Sequence, residues 1–344
     1  MKQLLIGLVM LIFSAGNLFA QDDNPVAALD KINAAIESFN IKYLAYQSAL
    51  AHGSKVRKCE RKRQEMLTQL DNARYAIIEV PYYKGDKTLH QGSIAYLKLI
   101  SDVLNENYQK IVNLEDISEQ SYDAMEAYIL LKKKVDERME EAGAQFHDQV
   151  VAYCNRQNIK LVKDVNNENN NKMKIVGEVM DYYNKIYLAF FKSSVQETNF
   201  MEALGKKNVT ALEQSKSAME KYAGESLDSL NNYGSFKGDA SIKLACKKAL
   251  DFFKKEAASS TSLTDYFLKE QSFTQVKKSF EQNSKAQSDQ AEINKYNTAV
   301  DEMNKALNTF NKTNETLNRQ RADVYNSWNE AVKNFMDAQI PYAR

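Results

Sequence analysis

The chain has 344 residues, with 46 Lys+Arg against 45 Asp+Glu and a hydrophobic fraction of 44%, a composition that is globular rather than disordered or membrane-embedded. Its formal charge of +1 excludes a generally basic nucleic-acid binder, which needs surplus cations to displace phosphate counterions. Three prolines, none of them between Pro81 and Pro341, predict long helices, because proline breaks a helix interior.

Met1-Lys2-Gln3 precedes an apolar run from Leu4 to Phe13 and then Ser14-Ala15-Gly16-Asn17-Leu18-Phe19-Ala20-Gln21. A positive start, a short apolar core and small residues near the end predict a signal peptide over residues 1–20. Cleavage is expected after Ala20, with Gly16 as the alternative. No second run of spanning length follows, so the mature chain is expected to have no transmembrane span and to be periplasmic, cell-surface or secreted.

Residues 21–160 read as a first helical unit. Asn24 can cap and Pro25 can open a first helix, with apolar residues at Leu29, Ile32, Ile36, Phe39, Tyr43, Tyr46 and Leu50. His52-Gly53-Ser54 interrupts the pattern. A second helix runs to about Val80 on Val56, Cys59, Met66, Leu70, Ala73, Ile77 and Val80. Pro81 to Asp86 form a turn, in which Gly85 supplies a positive φ and Asp86 caps a third helix ending near Asn113. A fourth is predicted from about Ser118 to Gln157. The 3.6-residue period holds throughout and strand alternation persists nowhere.

Residues 161–172, with the run Asn166-Asn167-Glu168-Asn169-Asn170-Asn171, read as a linker. Residues 173–344 then repeat the first unit. Asn40 to Tyr46 recurs as Asn184 to Phe190, Tyr83-Lys84-Gly85-Asp86 as Phe236-Lys237-Gly238-Asp239, and Leu97 to Ile100 as Leu250 to Phe253. Phe146 with Asn155-Arg156-Gln157 matches Phe310 with Asn318-Arg319-Gln320. The chain ends in a helix predicted from about Asp289 to Ala338, with the polar residues Asn314 and Arg321 in its apolar seam, where such residues can set register. The fold class expected is all-α: a long-helix bundle of two tandem, related four-helix units with a long C-terminal helix.

Catalytic chemistry is not signalled. His52, His90 and His147 lie far apart, and there is no His-Glu-x-x-His, C-x-x-C or Gly-x-Ser-x-Gly. No cofactor, metal site or enzyme activity is expected. Cys59, Cys154 and Cys246 each fall in an apolar stripe and read as small core residues. Cys59 near the start of the second helix and Cys154 near the end of the fourth are expected to lie a helix length apart and not to bridge.

One cluster stands out: Lys55, Arg57, Lys58, Arg61, Lys62 and Arg63, offset within that span by Glu60. It crowds cations at a helix start, where the dipole prefers anions. It is a solvated face or a patch for an anionic partner, a protein or an envelope component. The signal peptide, the long helices and the Phe/Tyr-Lys-Gly-Asp turn before a helix with Leu250-Asp251-Phe252-Phe253 together resemble a family of uncharacterised bacterial surface proteins, a resemblance that implies surface or periplasmic placement. The expected function is a non-catalytic exported protein binding another macromolecule at the envelope or surface; the alternative is a carrier of an apolar small molecule in a bundle cavity.

Overall fold

A computed structural model describes residues 24–118, 120–161, 168–283 and 289–343. The signal peptide expected over residues 1–20, and residues 162–167 of the Asn-rich stretch, lie outside them. In chain order the helices are α1 (Pro25–Ala51), α2 (Val56–Ile78), α3 (Thr88–Ser118), α4 (Tyr122–Arg156), α5 (Glu168–Gly205), α6 (Val209–Asn231), α7 (Ser241–Ser259), α8 (Thr261–Gln282) and α9 (Gln290–Gln339). Among the described residues there is no strand, and the protein is an all-α helical bundle with a long C-terminal helix.

Local sequence accounts for the helix ends. Asn24 accepts a bond from the Val26 amide at 2.9 Å, with Pro25 in the first turn. The α1 residues Leu29, Ile32, Ile36, Phe39 and Tyr43 are all buried, one face at three-four spacing. α1 and α5 then end in the same way. The Ser54 amide donates to the Ala49 carbonyl and the Gly53 amide to the Leu50 carbonyl, with Gly53 at φ 61°. The Asn208 amide donates to the Ala203 carbonyl and the Lys207 amide to the Leu204 carbonyl, with Lys207 at φ 52°. Both are Schellman closures, which satisfy helix-end carbonyls through one left-handed residue.

The next turn is repeated as well. Lys84 and Gly85 have φ 47° and 76°, and Lys237 and Gly238 have φ 49° and 92°. Asp86 accepts from the Thr88 amide at 2.9 Å and Asp239 from the Ser241 amide at 2.8 Å. His90 Nε2 donates to the Val80 carbonyl, and Lys243 Nζ donates to the carbonyl of Tyr233. Every one of these turn-to-helix pairs is 153 residues apart. The same offset pairs the buried residues Met66 with Met219, Leu70 with Ala223, Ile77 with Leu230, Leu97 with Leu250 and Ile100 with Phe253.

The register corrects one sequence match. The shared Schellman closures align α1 with α5 at an offset of 154, so Ile32 pairs with Ile186 and Ile36 with Phe190. The match of Asn40 to Tyr46 with Asn184 to Phe190 is ten residues out. Ten residues are just under three helical turns, so two apolar stripes still align approximately at that spacing.

The second repeat also differs in its third helix, which is divided into α7 and α8. Ser260 ends one and opens the other: its amide and hydroxyl both reach the Ala257 carbonyl, at 3.3 and 2.7 Å. Serine hydroxyls offer the backbone such an alternative to the regular ladder.

The chain divides into two compact units, one comprising residues up to Asn184 with those from Lys333 onward, the other Lys185–Val332. The division falls within α5 and within α9, not in the Asn-rich stretch, because α5 already begins at Glu168. In the first unit the core holds Met66, Leu70, Tyr128 and Met139, with Tyr96 stacked on Phe146 at 5.0 Å. In the second, Phe190 stacks on Trp328 at 4.3 Å and Phe253 and Tyr325 pack beside them. Each fully buried apolar side chain contributes about 1.5–3 kcal/mol relative to exposure.

Candidate anionic-partner face

α2 turns its Met66, Leu70, Ala73 and Ile77 stripe into the core of the first unit. Its opposite face is therefore solvent-facing, and the predicted cluster lies at its start. Lys55, Arg57, Lys58 and Arg61 are exposed; Lys62 and Arg63 are half-buried on the flanks. Arg63 pairs with Glu60 at 2.9 Å, Lys62 with Glu65 at 3.1 Å and Arg61 with Glu65 at 3.7 Å. The Lys62 bond holds the Glu65 carboxyl below its ordinary value. Lys55, Arg57 and Lys58 make no ion pair among the described residues. The six cations thus divide into an outward group and a group partly neutralised along the helix.

The second repeat supplies an internal comparison. At an offset of 153, Lys55, Arg57, Lys58, Arg61 and Lys62 correspond to Asn208, Thr210, Ala211, Gln214 and Ser215; Arg63 corresponds to Lys216. Arg63–Glu60 is matched by Lys216–Glu213 at 3.3 Å. The cation at position 63 and its ion pair are thus common to both repeats, and the other five cations belong to the first alone. Residues 55–87 carry nine cations and five carboxylates, net +4, whereas residues 208–240 carry three and five, net −2.

The two helix starts differ in stability as well as charge. Asn208 caps α6, accepting from the Ala211 amide at 3.1 Å. Lys55 occupies the same position on α2 and makes no side-chain cap bond. An uncapped start with no acidic residue in its first turn forgoes about 1 kcal/mol of capping and opposes the helix dipole.

Where the first repeat has long cations, the second has an open groove of about 470 Å³. Asn208, Ala211, Gln214 and Ser215 form one wall; Asn199, Glu202 and Lys206 of α5 lie on the other. Amide, hydroxyl and ionic groups share this lining with Ala203, Ala211 and Ala218, so the groove is open and of mixed polarity.

Other chemistry-bearing groups lie elsewhere. Cys154 and Cys246 are buried, Cys59 is half-buried, and all three are free thiols. Burial pushes the Cys154 thiol up to about 11 and raises Cys59 and Cys246 too, which suppresses the nucleophilic thiolate. The Val56 side chain lies outside the described residues. His90 is buried, and His52 donates from Nδ1 to Asp337 at 2.8 Å and stacks on Tyr342. His147 is half-buried. No cluster of three or more metal-ligating side chains occurs among the described residues. No described helix is long and apolar enough to cross a membrane.

Two features escaped the sequence reading. Arg321 was recognised as a polar seam residue, but not its partners: it contacts buried Glu197 and Glu256, and Tyr325 donates to Glu197 at 3.0 Å. The carboxylates sit within the apolar stripes of α5 and α7, which was the available signal. The second is an exposed apolar group, Tyr75, Ile78 and Tyr82, at 68%, 57% and 50% exposure. Tyr75 and Ile78 fall between the core positions of α2, which marks them as outward-facing.

No protein-family model, curated protein or solved structure matches the chain.

Proposed function

We propose that the chain is an exported, non-catalytic helical protein that binds an anionic macromolecule at the cell envelope or surface through the cation-rich start of α2. The observation that carries this reading is the contrast between the repeats. α6 begins with a capping Asn208 and small neutral residues, whereas the corresponding turns of α2 hold five unmatched cations and no cap. Local departures from what favours folding mark functional surfaces. The signal peptide and the resemblance to bacterial surface proteins support the placement, and the mature chain is expected to begin at Gln21.

Binding of a soluble polyanion such as dextran sulfate, measured across ionic strength, tests this reading. Exposed charges are screened over about 8 Å at physiological salt, so affinity falls as salt is raised. The variant R57Q/K58Q/R61Q/K62Q keeps good helix formers and leaves the buried stripe intact, and its binding is lost. Equal binding by the variant and the parent chain across that salt range contradicts the proposal.

A further inference from the structure

Resting on the anionic-partner reading, we infer that the partner of α2 is an anionic lipid surface, on which the helix lies lengthwise. The outer face of α2 is an exposed stripe at three-four spacing: Arg57, Arg61, Gln64, Thr68, Asp71, Tyr75 and Ile78. Tyr82 follows one turn later in the connection to α3, with Lys87 5.6 Å from its ring centroid. Arg61 and Tyr75 are fourteen positions apart, about 21 Å along a helix. Cations thus occupy one end of the face, and two tyrosines and an isoleucine the other.

The second repeat departs from this face at both ends. The register places Thr210 and Gln214 opposite Arg57 and Arg61, and Asp228, Asn231 and Ser235 opposite Tyr75, Ile78 and Tyr82. The same helix is therefore built without either feature, so packing demands neither. A soluble polyanion would use the cations alone and leave the apolar end idle. A bilayer surface uses both, because phosphates attract the basic end while tyrosine rings and an aliphatic side chain settle at the headgroup boundary. Two acidic residues share this face toward its apolar end. Asp71 pairs with Arg74 at 3.4 Å and Glu79 is exposed, so the positive charge is concentrated at the start of α2.

The test is vesicle flotation of the chain from Gln21 onward, which contains every described element and omits the apolar leader. Vesicles of phosphatidylcholine alone are compared with phosphatidylcholine containing phosphatidylglycerol. The chain is expected to float with the anionic vesicles and not with the neutral ones. Each basic residue beside an anionic bilayer changes partitioning about fivefold, so R57T/R61Q should weaken it roughly twentyfold. Y75D/I78N/Y82S, which installs the second repeat's residues, should also abolish flotation while retaining dextran sulfate binding and parental helicity. Dextran sulfate binding without flotation overturns the lipid inference and leaves the anionic-partner reading standing. Loss of both overturns both. Flotation of Y75D/I78N/Y82S equal to that of the parent removes the apolar end from the surface and overturns the inference as stated.

Discussion

Glu256 is fully buried and shares Arg321 with Glu197, so one guanidinium faces two carboxylates. Burial raises Glu256 to about 7 despite the attraction of Arg321, with Glu197 adding to the rise. In the unfolded chain this group titrates near 4.3. Its folded form therefore holds a proton that the unfolded form has lost, and stability falls as pH rises from about 4 to 7. The first repeat places Tyr43 and Val103, both fully buried, at the corresponding positions, so the fold accommodates apolar residues there. Glu256→Val should raise the thermal midpoint, and by more at pH 8 than at pH 5. Arg321→Met instead leaves two buried carboxylates without their cation and should destabilise by about 3–5 kcal/mol, read by urea denaturation. Asp86 behaves oppositely: partial burial pushes it up, but bonds from Thr88 and Arg156 prevail and hold it at about 2. Its contribution is present above about pH 4 and is lost as pH falls toward 2. A pH titration of stability should show that slope in the parent and a shallower one in Asp86→Ala.

The helices themselves were legible wherever apolar residues kept one period over several turns. α9 was expected from about Asp289 to Ala338 and runs Gln290–Gln339; α2 and α4 end within two residues of expectation. The Lys-Gly-Asp turns were legible in their capping aspartates and glycines, but not in Lys84 and Lys237. Those lysines adopt positive φ because the turn requires two successive left-handed residues, and periodicity carries no information about φ. Gly85→Ala and Gly238→Ala should each cost about 1–2 kcal/mol in denaturant unfolding, since a side chain at positive φ is strained. Neither site has a neighbour within 4 Å of an added Cβ, so the penalty is conformational rather than steric. The break at Ser260 was not foreseen, because α7 and α8 both keep helical periodicity around it. α8 buries Leu263, Thr264 and Phe267 near its start, while Phe273 and Phe280 meet Tyr296 farther along and stay half-buried. Hydrogen exchange should accordingly be faster for amides of residues 270–282 than for those of α6, whose buried residues extend from Leu212 to Leu230.

Across the whole chain, duplication converts one sequence into a comparison of two. The repeats share their Schellman closures, capped turns and buried positions, so each difference between them is a choice the fold did not impose. The second repeat buries an ion cluster where the first packs Tyr43 and Val103. The first carries cations and an exposed aromatic end where the second is neutral or acidic. The cation cluster was legible in sequence because it is contiguous. The aromatic end was not, since Tyr75 and Ile78 become a surface feature only once Met66, Leu70, Ala73 and Ile77 define the buried side of α2. The central claim is that the five unmatched cations of α2 are carried at the expense of stability. Thermal unfolding of K55N/R57T/K58A/R61Q/K62S, which installs the start of α6 on α2, tests it most directly. Asn at position 55 restores a cap worth about 1 kcal/mol, and removing the cations relieves their opposition to the helix dipole. The account predicts a midpoint above that of the parent; a midpoint below it would mean that the cations hold the fold together, and would contradict the account.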